Sequence, residues 1–242
     1  MRRDNLRGIF YIVWKDMRTY YLKPPAISWG IAFPVVWILA FYLRNPKSFG
    51  ELLPGLVAMT ILFSTTAAEA VVINFELRLG SLERLLLAPV SLPAVLVGKI
   101  LGGALFGLMT TTVVTAGSAI ALGVHPHILY LILIVIPSLL AFAALGAFLC
   151  VSVKEVFEAQ TLLNLPRFLM IFLSGVVYPV SAMPKALQYV AYFMPLTYTV
   201  EGLRQAFSEG SIYLVLIEAL ILLFFFLVFL FPAFGLLRKK FE

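Results

Sequence analysis

The sequence predicts an all-α membrane protein that crosses the bilayer six times, and three observations support this prediction. Apolar residues make up 62% of the 242-residue chain, and charged residues make up 12%, about half the usual share. Six apolar runs reach about 20 residues, the length that a helix needs to cross a hydrocarbon core. Basic residues alternate along the chain between crowded and sparse loops. A soluble enzyme of this size could not bury so much apolar surface, so the soluble classes are excluded.

The distribution of charge orients the predicted spans. The spans lie near residues 26–43, 51–74, 94–123, 128–151, 161–180 and 212–236. Fourteen of the 18 Lys and Arg residues fall in the N-terminal segment, in alternate loops and in the C-terminal tail. The positive-inside rule places these segments, and with them both termini, in the cytoplasm of a multi-pass plasma-membrane protein. The net charge of +6 therefore indicates the cytoplasmic edge of a membrane and no nucleic-acid partner.

Residues 1–25 are predicted to form a cytoplasmic amphipathic helix that lies flat on the membrane, ahead of a six-span domain over residues 26–242. Its apolar side chains recur at helical spacing at Leu6, Ile9, Phe10, Val13, Met17 and Tyr20.

Residues 183–207 are apolar enough to be mistaken for a seventh span. A seventh crossing would move the basic tail to the outside, and the segment breaks at Met194-Pro195 into two pieces of about a dozen residues. It therefore predicts a re-entrant helical hairpin that enters from the extracytoplasmic side, with Thr199 capping its second piece. Because irregular backbone at membrane depth lines a cavity or is covered by protein, we expect the hairpin to border a substrate exit. The candidate pathway residues here are Met183, Pro184, Met194, Pro195 and Glu201.

The cytoplasmic link at residues 78–88 predicts a short helix, with Ser81 as its cap and Glu83 near its positive end. Apolar residues lie on both faces of this helix. Leu82, Leu85 and Leu86 form one face, and Glu83 and Leu87 form the other. One face can rest on the membrane domain, and the other contacts either a partner protein or lipid.

Three features of the spans carry further predictions. Glu69 is an intramembrane carboxylate among small residues, so it either contacts a cationic substrate or hydrogen-bonds a neighbouring helix. The pairs Gly98/Gly102 and Gly103/Gly107 predict close helix packing inside the subunit. Lys99 is expected to snorkel to the cytoplasmic interface. The single cysteine, Cys150, excludes a disulfide framework, and no metal site or catalytic group is predicted.

Two segments resemble the type-two ABC exporter permeases. These are GSLERLLLAPVS followed by VLVGKIL, and FLSGVVYPVSAMPKALQYVAYFMPLTYTVEGLRQ. The likeness covers nearly the whole chain and is nearest to the multidrug and antibiotic-resistance branch. It implies a homodimer of permeases that works with a dimer of cytoplasmic ABC ATPases. It also implies that residues 78–88 form the coupling helix, whose contact residues would be Arg78, Ser81, Leu82, Glu83, Arg84 and Leu87.

The sequence predicts that ATP and Mg bind the partner ATPase and that this chain carries no cofactor. Gly98-Lys99 is followed by Ile100, where a phosphate-binding loop needs Ser or Thr. The predicted function is outward transport of an amphipathic drug-like compound or lipid, with no enzymatic activity on this chain. An ATP-independent secondary carrier and a membrane-embedded lipid-modifying enzyme remain as alternatives.

Overall fold

The computed structural model describes residues 2–24, 26–27, 35–37, 39–40, 43, 49–86, 88–153, 156–208 and 210–241, and each regular element within them is a helix. The helices are α1 (Arg2–Asp16), α2 (Phe49–Arg78), α3 (Ser81–Leu86), α4 (Leu92–Leu122), α5 (Ile128–Ser152), α6 (Val156–Leu173), α7 (Lys185–Tyr192), α8 (Pro195–Phe207) and α9 (Ile212–Phe241). A π-helical turn (Met17–Tyr21) continues α1, and a 3-10 turn (Val180–Ala182) precedes α7. The all-α class is confirmed over the described part of the chain.

Four of the described helices, α2, α4, α5 and α9, are long and apolar enough to cross a membrane. They correspond to the predicted spans at 51–74, 94–123, 128–151 and 212–236. The predicted span at 26–43 falls largely outside the described residues.

The predicted span at 161–180 has different boundaries in the structure. Helix α6 begins at Val156 and ends at Leu173. The chain then turns at Gly175, whose φ of +83° favours glycine, so residues 174–179 leave the helix. The apolar run alone could not show this turn, because Val176, Val177 and the residues around them are as apolar as the helix.

Helix α5 lies at the centre of the molecule and packs against α2, α4, α8 and α9. Small residues in its second half allow these neighbours to approach closely. These residues are Ala141, Ala143, Ala144, Gly146 and Ala147, all of them buried. In contrast, only 17% of the span in α9 is buried, so α9 lies at the edge of the bundle.

The buried hydroxyl groups of α2 form hydrogen bonds within the helix. The hydroxyls of Thr60, Ser64 and Thr65 donate to carbonyl oxygens four residues earlier, over 2.9, 2.7 and 2.7 Å. The hydroxyl of Thr66 donates to the carbonyl of Leu62 in the same way. An apolar surrounding offers no water, so this pattern lets α2 bury four hydroxyls inside the bundle.

The glycines of α4 pack inside the subunit, as predicted. A Cβ atom on Gly98 would lie 3.1 Å from the Ile12 side chain of α1, so there is no room for a larger residue without movement of Ile12. Cβ atoms on Gly103 and Gly107 would lie even closer to side chains of α2, and Gly102 contacts Tyr21 of the π-helical turn. The two pairs therefore hold α1 and α2 against α4.

Helix α1 packs on the rest of the protein through part of the predicted apolar stripe and through an adjacent stripe. Met17 is buried, and Val13 and Tyr20 pack beside it. Leu6 and Phe10 of the predicted stripe are 66% and 63% exposed. The stripe at Gly8, Ile12 and Asp16 faces α4 and the link that precedes it. Glycine and aspartate do not register in an apolar pattern, which is why periodicity alone did not include this second stripe.

Helices α7 and α8 have 8 and 13 residues and join at Met194, in agreement with the predicted break. The capping role predicted for Thr199 is wrong. Pro195 has no N–H to satisfy and begins α8 four residues earlier, with Met194 as the N-cap. Thr199 instead shares a 3.0 Å hydrogen bond with Ser138 of α5, which docks α8 on the central helix.

Candidate functional site

Helix α3 is the described part of the predicted coupling segment. Leu82 is 2% exposed and Leu85 packs against the core, so the predicted inner face is confirmed at both positions. Arg84 is exposed and available to a partner. Leu87 lies outside the described residues. Arg78 and Glu83 belong to helices, but their side chains also lie outside the description.

The capping role predicted for Ser81 is also wrong. The first helical carbonyl belongs to Gly80, which has a φ of +64° and accepts the N–H of Arg84 at 3.3 Å. Ser81 thus lies in the first turn of α3, and its hydroxyl donates to the carbonyl of Glu76, 3.4 Å away at the end of α2. Since glycine readily takes a positive φ, the α2–α3 turn forms at Gly80 and the serine is displaced by one position.

A buried ionic cluster lies immediately before α3. It consists of Lys15 and Asp16 of α1, Glu76 of α2 and Lys99 of α4. The Lys99 Nζ lies 2.9 Å from Asp16 Oδ2, and the Lys15 Nζ lies 3.1 Å from Asp16 Oδ1. Glu76 is ion-paired with both lysines. The cluster therefore joins three helices through two cations and two carboxylates.

The prediction that Lys99 snorkels to the interface is wrong, since this residue is 1% exposed. Helix α1 lies on α4 at Gly98 and Gly102, and this contact brings Asp16 over the lysine. Sequence reasoning missed Asp16 and Glu76 as members of the site. A usable signal was present, because a lysine in the first turns of a span calls for a carboxylate from a neighbouring helix end.

The electrostatics of the cluster show the cost of burying it. Burial raises the pKa of the Asp16 carboxyl, against the attraction of Lys99 and Lys15. The desolvation of the carboxylate thus outweighs the neighbouring cations. Removal of Lys99 would leave two buried carboxylates poorly compensated, whereas the pairs of the partly exposed Lys15 are screened by solvent.

Glu69 lies fully buried between α2, α4 and α5. Its carboxylate lies against Gly103, its Cβ lies close to Gly146, and neither oxygen has a hydrogen-bond partner among the described residues. Its predicted contact with a cationic substrate stays a prediction.

The hairpin candidates gather around the connection from α6 to α7. Met183 and Met194 are each 8% exposed, Pro195 is buried, and Pro184 is exposed. The Ser174 hydroxyl donates to the Met194 Sδ at 3.6 Å.

Glu201, the remaining hairpin candidate, is half-buried and accepts a 2.8 Å hydrogen bond from Arg204. The same arginine donates to the carbonyl of Gly175 at 2.7 Å. These contacts tie α8 to the turn after α6. The structure therefore assembles the hairpin candidates at that turn, whereas Glu69 belongs to the α2–α4–α5 contact.

The long apolar helices define a polytopic membrane protein. A short helix beside an ionic cluster and a pair of short helices before the last span accompany them. Residues 7–208, well over half of the chain, match the family described as ABC-2 type transporter, and the chain belongs to that family.

Relatives with curated names agree with this assignment. The chain is 25% identical over 228 residues to the putative transport permease ycf38 of Cyanophora paradoxa, a match that covers 85% of this chain and 76% of the relative. It is 24% identical over 195 residues to the inner membrane transport permease YadH of Escherichia coli strain K12, over 77% and 75% of the two chains. The protein is thus a multi-pass membrane transport permease.

Proposed function

We propose that the chain is the membrane subunit of an ATP-driven exporter that moves an amphipathic solute, a drug-like compound or a lipid, out of the cell. Its family membership supports a separate ABC ATPase as the source of energy. In this proposal ATP and Mg bind a cytoplasmic ATPase dimer, and the permease itself hydrolyses nothing.

The observation that carries the proposal is the position of α3. Leu82 anchors the helix in the core, while Arg84 on the same helix is exposed. An isolated two-turn helix is unstable in water, so α3 depends on tertiary contacts such as those of Leu82 and Leu85. An ATPase surface would cover the outer side and Arg84.

The ionic cluster supplies a route for movement of α3 to reach the membrane domain. Glu76 accepts the Ser81 hydroxyl through its backbone carbonyl and pairs with lysines of α1 and α4 through its side chain. Buried ion pairs are costly to separate, so displacement of α3 would move α1 and α4 together with the end of α2. Closure of the ATPase dimer would thereby change how the transmembrane helices meet.

The proposal includes six spans, cytoplasmic termini and a homodimer whose seam is formed by the first and fifth spans. Large apolar side chains on α6 support the seam, because Leu162, Leu165 and Leu169 are 37%, 73% and 48% exposed. The re-entrant hairpin would be formed by α7 and α8 at the extracytoplasmic face. Among known permeases, the multidrug and antibiotic-resistance branch remains our proposal for the nearest relatives in function.

Charge reversal on α3 is the test of the proposed function. The Arg84→Glu variant is expected to lose ATPase capture at least tenfold, since a desolvated charge contact across an interface is costly to reverse. The tagged full-length chain would be extracted in mild detergent from its own cells, and bound ATPase would be measured by ATP hydrolysis and photolabelling with azido-ATP.

The matched control is Lys185→Glu, which reverses an exposed basic residue on the short helix α7. It should leave both ATPase signals unchanged. Both variants should keep the melting temperature of the parent protein, because neither side chain is buried. Full ATPase activity captured by Arg84→Glu would mean that α3 is only an interfacial connector.

The topology is tested by single-cysteine labelling in a Cys150→Ala background. Cysteines at Lys185 and Ser208, both exposed at the ends of the α7–α8 pair, are expected to react with an impermeant maleimide from outside intact cells. A cysteine at exposed Arg18 should react only after permeabilisation. Reaction of the first two positions from opposite sides would show that the segment crosses the membrane.

A further inference from the structure

Arg167 of α6 is a buried cation. It is 3% exposed, and no ion pair to it occurs among the described residues. The stretch of the chain between residues 17 and 50 contains no Asp or Glu, so the predicted first span has no carboxylate to offer. The nearest acid on its own helix, Glu158, is nine residues earlier, about 14 Å along the axis.

The contacts that Arg167 does make are neutral. Its Nε donates to the Thr66 hydroxyl at 2.8 Å, and its Nη1 donates to the Asn164 side-chain carbonyl at 3.1 Å. The guanidinium also lies over the ring of Phe63, 5.4 Å from the ring centre. The remaining nitrogen, Nη2, is buried and has no hydrogen-bond partner among the described residues.

This geometry orients the guanidinium, and no carboxylate among the described residues pairs with it. The hydrogen bonds of Nε and Nη1 hold the guanidinium group against α2 and α6. The attraction between the guanidinium and the ring of Phe63 is weak compared with an ion pair. A buried charge is ordinarily paired, and a planar fork with free N–H groups matches a phosphate or a carboxylate. The guanidinium is therefore suited to an anionic partner.

A stripe of exposed residues on α6 begins at Asn164, which accepts a hydrogen bond from the guanidinium. Asn164, Phe168 and Phe172 are spaced by four residues and are all exposed, so they form one open face of the helix. Asn164, which accepts the hydrogen bond from Arg167 Nη1, forms the polar end of this face, and Phe168 and Phe172 form its aromatic part. The stripe is about 12 Å long, a length suited to a hydrocarbon chain.

We propose that Arg167 and Asn164 bind the anionic head group of an amphiphile whose hydrocarbon chain lies along Phe168 and Phe172. This inference rests on the proposed function and narrows it, because it assigns the transported solute to the acidic amphiphiles. A membrane lipid and a diffusible solute share this chemistry, and the test below separates them.

The test measures binding of radiolabelled decyl phosphate to the full-length chain in phosphatidylcholine nanodiscs, with empty discs subtracted. The Arg167→Gln variant is expected to weaken binding at least tenfold, and the Asn164→Ala variant about threefold. Decyl maltoside, which has the same chain and no charge, should bind weakly to all variants. Arg18→Gln removes an exposed cation elsewhere and should change binding less than twofold.

The Asn164→Ala variant keeps the test decisive even if loss of Arg167 impairs folding, because Asn164 is exposed. If phosphatidylglycerol added to the discs displaces decyl phosphate, the natural ligand is a membrane lipid; if it does not, the ligand is a diffusible solute. Equal binding by the parent and Arg167→Gln proteins, or equal losses in Arg18→Gln, would overturn the proposal. The assay contains no ATPase, so Arg84→Glu should bind decyl phosphate normally even where ATPase capture fails.

Discussion

Replacement of Lys99 by methionine is expected to destabilise the folded protein by about 3–5 kcal/mol, the cost of breaking a buried ion pair. The substitution keeps most of the side-chain volume and removes the charge that both Asp16 and Glu76 contact. Two buried carboxylates would then share Lys15, which is partly exposed. Unfolding in a fixed detergent, followed by tryptophan fluorescence during titration with dodecyl sulfate, would measure the loss.

The matched control is Lys15→Met, made in the same cluster. The Lys15 side chain is 37% exposed, so solvent screens its pairs and the expected loss is below about 1 kcal/mol. The double variant Lys99→Met with Asp16→Leu should recover part of the stability, because it removes one of the abandoned carboxylates. Equal losses for Lys99→Met and Lys15→Met would show that burial does not govern this cluster.

The second large effect is expected at Gly55 of α2. A Cβ atom there would lie 2.6 Å from the carbonyl oxygen and 3.0 Å from the Cα of Val176, in the turn that follows α6. These are backbone atoms, so no rotamer change can relieve the contact. We expect Gly55→Ala to destabilise the protein by about 1–3 kcal/mol, the usual cost of overpacking. Melting temperature in detergent would report it.

Gly117→Ala gives a control with the opposite sign. Gly117 lies inside α4 with no atom within 4 Å of the position its Cβ would take. Alanine there reduces the entropy of the unfolded chain, so stability should rise by up to about 1 kcal/mol. A gain of stability from both substitutions would show that helix propensity, and not contact with the Val176 backbone, sets the result at Gly55.

The glycine pairs of α4 and Gly55 of α2 show which packing contacts can be predicted from periodicity and spacing. The pairs on α4 could be predicted as packing surfaces, because small residues four apart form a groove on any helix. Gly55 could not, because its neighbour is a turn 121 residues later in the chain. The closeness of that turn depends on the end of α6 at Leu173, which the apolar run did not reveal.

The ionic cluster and Arg167 show the same division within the candidate sites. The sequence indicated Glu69 as an unusual charge in a span and selected the α3 segment as a surface for a partner. It did not predict the ion pair between Lys99 and Asp16. The two residues are 83 positions apart and meet only because α1 lies on the glycines of α4. Nor did it single out Arg167, whose lack of an anionic partner is visible only once its contacts with α2 are known.

The sequence by itself determined the class of this protein, its division into long apolar helices and short amphipathic ones, and the inner face of α3. These properties follow from composition, run length and helical spacing, which are local along the chain. The tertiary structure decided which charges are paired, where α6 ends and which stripe of α1 is buried. Those outcomes depend on contacts between distant segments. In an apolar medium, the free energy of burying a charged group depends on the partner that packing places beside it.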